Sequence, residues 1–287
     1  MHILKGYTKQ EISWMMYDWA NSAHSVIIVT LLPIFFDTVA GYTADSVSSM
    51  STWGYATSIA MLIVALAAPF LGVFGDIRGM RKKLFSFFML LGVAACAGMA
   101  FTPGMDFTSG PVAAGKVATL ILVLYIVSVI GFDASAIYYD AFLTDVTIED
   151  RMDKVSTMGY GLGYIGGSTI PLLIFLIMNL VGVPMLTCLA FVFGLTAVWW
   201  LAFSLPLLKN CEQTSGKPYE KGDVARSIKG VGTTIKEIIA NKPMLIYILS
   251  YFFYIDGVHT VISMATTYGT NLGLDSTGTV SYTHLRA

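Results

Sequence analysis

Apolar residues run through this chain in long stretches, separated by short polar segments in which Gly, Asp, Lys and Arg collect. Stretches long enough to cross a bilayer, roughly 20 residues, occupy about 13–39, 51–74, 84–102, 117–142, 156–181, 184–206 and 244–270. A strand in hydrocarbon would leave its backbone N–H and C=O groups unsatisfied, so each of the seven is predicted to be a helix. The first contains Trp14, Asp18 and Asn21 and lacks a small-x-small cleavage site after a short apolar core. It is therefore expected to stay in the mature protein rather than to act as a signal peptide.

The polar connection at 209–243 is far longer than the turn at Gly182 and Val183, and it divides six spans from the seventh. Within it Val224, Ile228, Val231, Ile235 and Ile238 recur at i, i+4, i+7, i+11 and i+14, with Lys221, Arg226, Lys229 and Lys236 interleaved. That pattern predicts an amphipathic helix lying on the inner leaflet, with a solvated linker helix as the alternative. The expected organisation is a six-helix bundle over 1–208, a cytoplasmic linker with its interfacial helix over 209–243, a seventh span over 244–270 and a tail over 271–287. Residues 280–287 abandon the apolar pattern and read as a non-native end, so a longer parent chain is expected.

Composition places the chain in a bilayer: 55% of its 287 residues are hydrophobic and 12% charged, against about a quarter charged in soluble proteins. A net charge of -1 gives no global attraction to nucleic acid. Where the basic residues sit is more informative. Of 17 Lys and Arg, 15 fall before the first span or in the loops after spans two, four and six, and 2, Lys116 and Arg286, fall on the other side. The positive-inside rule then puts the N-terminus in the cytoplasm and, after an odd number of spans, the C-terminus outside. A multi-pass, monomeric protein of the cell membrane is expected. Cys96, Cys188 and Cys211 form no CxxC or Cys/His cluster, so free thiols, no metal and no cofactor are expected.

Ionisable residues enter spans one, four and seven and are absent from the interiors of the other four. Such groups cost about 2.5–3.5 kcal/mol in lipid and by default face a cavity or a partner. Asp18, Asn21, Ser22 and Ser25 fall at i, i+3, i+4 and i+7 and form one stripe. In span seven Asp256, His259, Thr260 and Ser263 repeat that spacing, an echo of an internal repeat that pairs helices one and seven. Span four carries Asp133 and Asp140 on one face, about 10 Å apart along the axis, with Tyr139 beside the second. Asp133 and Asp256 lie about mid-depth, where they suit solute or proton binding. Asp18 and Asp140 lie nearer the cytoplasm, where they suit a gate. For Asp133, Asp140 and Asp256 the alternative is a hydrogen bond that ties helices together. His259 is either a titrating group or a fixed donor. Gly159, Gly163 and Gly167, four apart in span five, read as a close helix-packing face.

Between spans two and three, Gly72, Asp76, Gly79, Arg81 and Leu84 fall at 0, +4, +7, +9 and +12. This spacing resembles the signature loop of the major facilitator superfamily, and the resemblance implies a cytoplasmic latch that controls conformational switching. Ile77 and Met80 stand where that pattern usually has basic residues, so fewer ionic contacts are expected here. Tyr17-Asp-Trp-Ala-Asn-Ser22, Gly163-Tyr-Ile-Gly-Gly167 and Tyr254-Ile-Asp-Gly-Val-His259 resemble the vacuole-effluxer-like branch of that superfamily. The fold expected is thus all-α: a major-facilitator-type six-helix N-terminal bundle plus the first helix of a second bundle. The resemblance implies secondary transport of a small polar solute, with amino acids as the implied class and a proton as a candidate coupling ion. No enzymatic role is expected, since HExxH, Gly-x-Ser-x-Gly and a Gly-x-Gly-Asp membrane-protease motif are all absent. A seven-helix receptor or sensor is the rival class, disfavoured by the predicted topology and by a seventh span without Lys.

Overall fold

The computed structural model describes residues 4–43, 49–216, 218 and 223–271, and these are helical except for short connections. The helices described are α1 (Lys9–Ala40), α2 (Ser49–Gly75), α3 (Arg81–Met99), α4 (Pro111–Val146), α5 (Glu149–Leu162), α6 (Thr169–Leu180), α7 (Met185–Asn210), α8 (Asp223–Ala240) and α9 (Lys242–Asn271). Gly163–Ser168 is a π-helical turn, so α5, that turn and α6 together make one membrane-length span. Among the described residues 6 spans are long and apolar enough to cross a bilayer, or up to 7 if the bent pair 229–240 and 242–258 is counted as one. The predicted tail beyond Asn271 lies outside the described residues, as do the side chains of Val224, Arg226 and Ile228 on α8.

Local chemistry starts these helices. Thr8 and Glu11 close a reciprocal capping box on α1: Thr8 Oγ1 accepts from the Glu11 N–H at 3.1 Å, and the Thr8 N–H donates to Glu11 Oε2 at 2.7 Å. Pro111 opens α4, where a missing N–H costs no hydrogen bond. Most helices outrun the apolar stretches that predict them, α4 and the fifth span by several residues. α4 extends to Val146 and the fifth span begins at Glu149, because polar turns continue the helix beyond its most apolar part.

α1 is the central helix, buried over most of its length and packed against α2, α4, α5, α6, α7 and α9. α3 and α4 cross closely at Gly92 and Gly131: a Cβ on Gly131 would stand 2.7 Å from the Gly92 Cα and 2.8 Å from the Phe88 carbonyl oxygen. The fully buried Trp200 of α7 fills the space over Gly92. The loops after α2, α4 and α7 meet at one end of the bundle, beside the N-terminus of α1. These segments, the helix turns that flank them and α8 carry 15 of the 17 Lys and Arg, which makes this the basic end of the molecule.

Candidate functional site

Asp18 of α1 and Asp140 of α4 come together on the side of the bundle toward the basic end. Asp18 is buried, and its Oδ2 accepts a 2.8 Å hydrogen bond from the Tyr139 hydroxyl. Tyr139 is held in turn by its ring, stacked on Trp14 at 4.3 Å and 13°, while its carbonyl accepts from Trp14 Nε1–H at 2.9 Å. Tyr17 stands alongside, its hydroxyl 2.8 Å from Ser135 Oγ and accepting from Trp200 Nε1–H at 3.3 Å. Asp140 is exposed. It lies within coulombic reach of Asp18, Tyr17 and Tyr160, and Tyr160 is likewise within reach of Tyr251 on α9. Asp18, Tyr139 and Asp140 therefore share one site. None of the seven apolar stretches contains Lys or Arg, and His24 and His259 are their only basic side chains.

The glycine face of the fifth span closes one wall of this site. A Cβ on Gly159 would collide with the Asp18 carboxylate, one on Gly163 would reach within 2.6 Å of Ser22 Oγ, and one on Gly167 would strike the Trp19 carbonyl. Asp18 and Ser22, predicted to share a polar stripe, are thus partly covered by glycine backbone.

The other predicted residues are spread more widely. Asn21 is buried on α1. Asp133 is half-buried on α4, within coulombic reach of Tyr125 and without a hydrogen bond or ion pair among the described residues. Asp256 is exposed on α9. His259 belongs to the same helix, its side chain outside the described residues. The sequence pattern does not single out His24, which lies off the Asp18 stripe. Its ring is buried and stacked on Phe132 at 4.7 Å, with Nε2 3.2 Å from Ser128 Oγ and Nδ1 without a partner among the described residues.

At the basic end the signature loop is clamped by residues that the motif does not contain. Asp76 is largely exposed, with an oxygen 3.8 Å from Arg81 Nη2. Arg81 is buried and gives its main ion pair to Asp145 at the end of α4, with further bonds to the Ala141 carbonyl at 3.0 Å and Ser215 Oγ at 3.2 Å. The other Asp145 oxygen accepts four hydrogen bonds from the linker: Thr214 N–H at 3.1 Å, Thr214 Oγ1–H at 2.9 Å, Ser215 N–H at 2.9 Å and Ser215 Oγ–H at 2.7 Å. Gln213 spans the loop itself, accepting from the Gly79 N–H at 2.8 Å and donating to the Gly75 carbonyl at 3.0 Å. Residues 211–216 thus form a strap across the loop. Gly216 has φ +115°, and a Cβ there would stand 2.8 Å from the Asp76 carbonyl oxygen, so this position of the strap suits glycine. Cys211, predicted in a polar loop, is buried where the strap leaves α7. Asn210 anchors the departure by donating to Ser13 Oγ at 2.9 Å.

A second clamp joins the N-terminus to the α4–α5 connection. Arg151 donates to both Glu11 oxygens at 2.9 Å, Thr147 Oγ1–H donates to Glu11 at 2.7 Å, and Arg151 also reaches the Gly6 carbonyl at 3.0 Å. The sequence marks these charges only as a positive-inside loop, and their pairing across 140 positions carries no local signal.

An all-helical bundle of long apolar spans, wound around α1 and closed at its basic end by a clamped loop over 72–84, defines a membrane protein of major-facilitator type, represented by its N-terminal bundle and one further helix. Residues 39–285 match the family described as "Vacuole effluxer Atg22 like". The chain belongs to that family. It is 40% identical over 282 residues to the uncharacterized MFS-type transporter YxiO of Bacillus subtilis (strain 168), covering 96% of this chain and 63% of the relative's length. Over 136 residues, 44% of this chain and 23% of the relative, it is 26% identical to autophagy-related protein 22-1 of Penicillium rubens. A protein of the same name from Sclerotinia sclerotiorum is 27% identical over 128 residues, 39% of this chain and 21% of the relative.

Proposed function

We propose that this chain forms the N-terminal part of a secondary transporter that moves a small polar solute by rocking two helical bundles about a central site. One observation carries the reading: Asp18 and Asp140 come together between α1 and α4, with Asp133 elsewhere on α4, in apolar stretches (13–39 and 117–142) that contain no Lys or Arg. Unbalanced carboxylates within a membrane bundle call for a mobile positive charge. A proton supplies one, and so does the ammonium group of a solute, which favours amino acids as the solute class. The clamped loop acts as the latch between conformations, with Asp76 left exposed for contacts outside the bundle. The charge distribution favours a cytoplasmic basic end in the cell membrane. No enzymatic step is assigned.

Transport into vesicles by the full-length protein tests this. Asp140→Asn and Asp133→Asn should each lower solute flux by about tenfold or more, equivalent to about 1.4 kcal/mol of lost stabilisation, with membrane insertion unchanged. Wild-type flux in both variants would remove these carboxylates from the mechanism.

A further inference from the structure

The linker helix α8 has an exposed apolar ridge that nothing in the described bundle covers. Ile235 and Ile239, one turn apart, are 50% and 57% exposed. Lys229 and Lys236 are exposed and lie roughly 100–120° around the helix from Ile235, at 3.6 residues per turn. Lys242 follows at the junction with α9 and is also exposed. Over 209–243 the chain carries seven Lys or Arg against four Asp or Glu.

Geometry sets the plane of this helix. Residues 229–240 turn through 101° into 242–258, the start of α9. If α9 follows the other spans through the bilayer, α8 runs along the membrane surface. It packs on α2 and α9 and leaves its isoleucine ridge free. A helix fully in water is polar all round or hides its apolar stripe, and this one does neither. An apolar ridge flanked by ammonium groups matches the boundary between acyl chains and phosphate headgroups.

We propose that α8 docks on the anionic phospholipid surface at the basic end, with Ile235 and Ile239 entering the acyl boundary and Lys229 and Lys236 meeting the phosphates. The docking needs no transported solute, so it stands or falls separately from the transport reading.

The full chain, with its three buried cysteines replaced by alanine, would be reconstituted in vesicles of phosphatidylcholine or of equal parts phosphatidylcholine and phosphatidylglycerol. A polarity-sensitive fluorophore is attached in turn to Ile235→Cys, Ile239→Cys and, on the polar face, Thr233→Cys. In anionic vesicles, spin-labelled lipid should quench positions 235 and 239 at least about threefold more than 233. Lys229→Gln with Lys236→Gln, or neutral vesicles, should remove most of that difference. Equal quenching of all three positions by aqueous acrylamide would mean a solvated helix and would overturn the proposal. Protection of 235 and 239 from both quenchers would mean cover by protein and would overturn it too. Lipid quenching that ignores vesicle charge would overturn the anionic part of the recognition.

Discussion

Tyr139→Phe would keep the ring stacked on Trp14 and delete the hydrogen bond that Asp18 accepts. Leaving a buried acceptor without its donor costs about 1–3 kcal/mol, so thermal unfolding in detergent should show a corresponding loss of stability. Arg151→Met is a sharper case, because the Glu11 side chain is only 2% exposed and would lose both of its guanidinium bonds. A carboxylate left buried without its partner is costly, and water at the half-exposed guanidinium moderates the loss. The variant should melt below wild type, and Arg151→Met with Glu11→Gln should recover part of the difference in the same melt. At this scale the sequence is an uneven guide. Asp76 stands out because it occupies a spaced motif, yet the buried partner of Arg81 is Asp145, whose neighbours in sequence give no sign of Thr214 and Ser215 arriving from the linker.

Elements are far more legible in this sequence than their pairings. Apolar length finds the six spans built from α1 to α7, because the backbone in lipid has few alternatives to a helix. It does not find the π turn at Gly163–Ser168, since a row of small residues is equally compatible with a regular α-helix. The glycine face itself is readable, whereas its partner, Trp19 to Ser22 on α1, is not. Gly167→Ala should destabilise by about 1–3 kcal/mol through overpacking, because its Cβ would meet the rigid Trp19 backbone. Gly161→Ala, with nothing within 4 Å of its Cβ, should be neutral or stabilise the helix by up to about 1 kcal/mol. Equal melting shifts for the two would contradict this packing. The strap over the signature loop should be visible in hydrogen exchange. Gln213→Ala removes the acceptor of the Gly79 N–H, so amides at 79–81 should exchange faster while those of the α3–α4 crossing keep their protection.

For the whole molecule, the positive-inside rule predicts the orientation from the basic end. A cytoplasm-active reporter fused to the N-terminus should be active, and the same reporter placed after Asn271 should be silent. The chain spans 63% of the length of its Bacillus subtilis relative, and exposed residues such as Tyr160, Tyr164 and Ile165 show where the bundle still has open apolar surface. The distribution of aromatic rings has one more consequence. All five tryptophans lie in α1, α2 and α7, and Trp14 is stacked on the ring that holds Asp18. The untouched protein therefore contains its own optical probe of the acidic site. A solute or proton reaching Asp18 should change the ultraviolet emission of the wild-type chain, and Trp14→Phe should abolish most of that change.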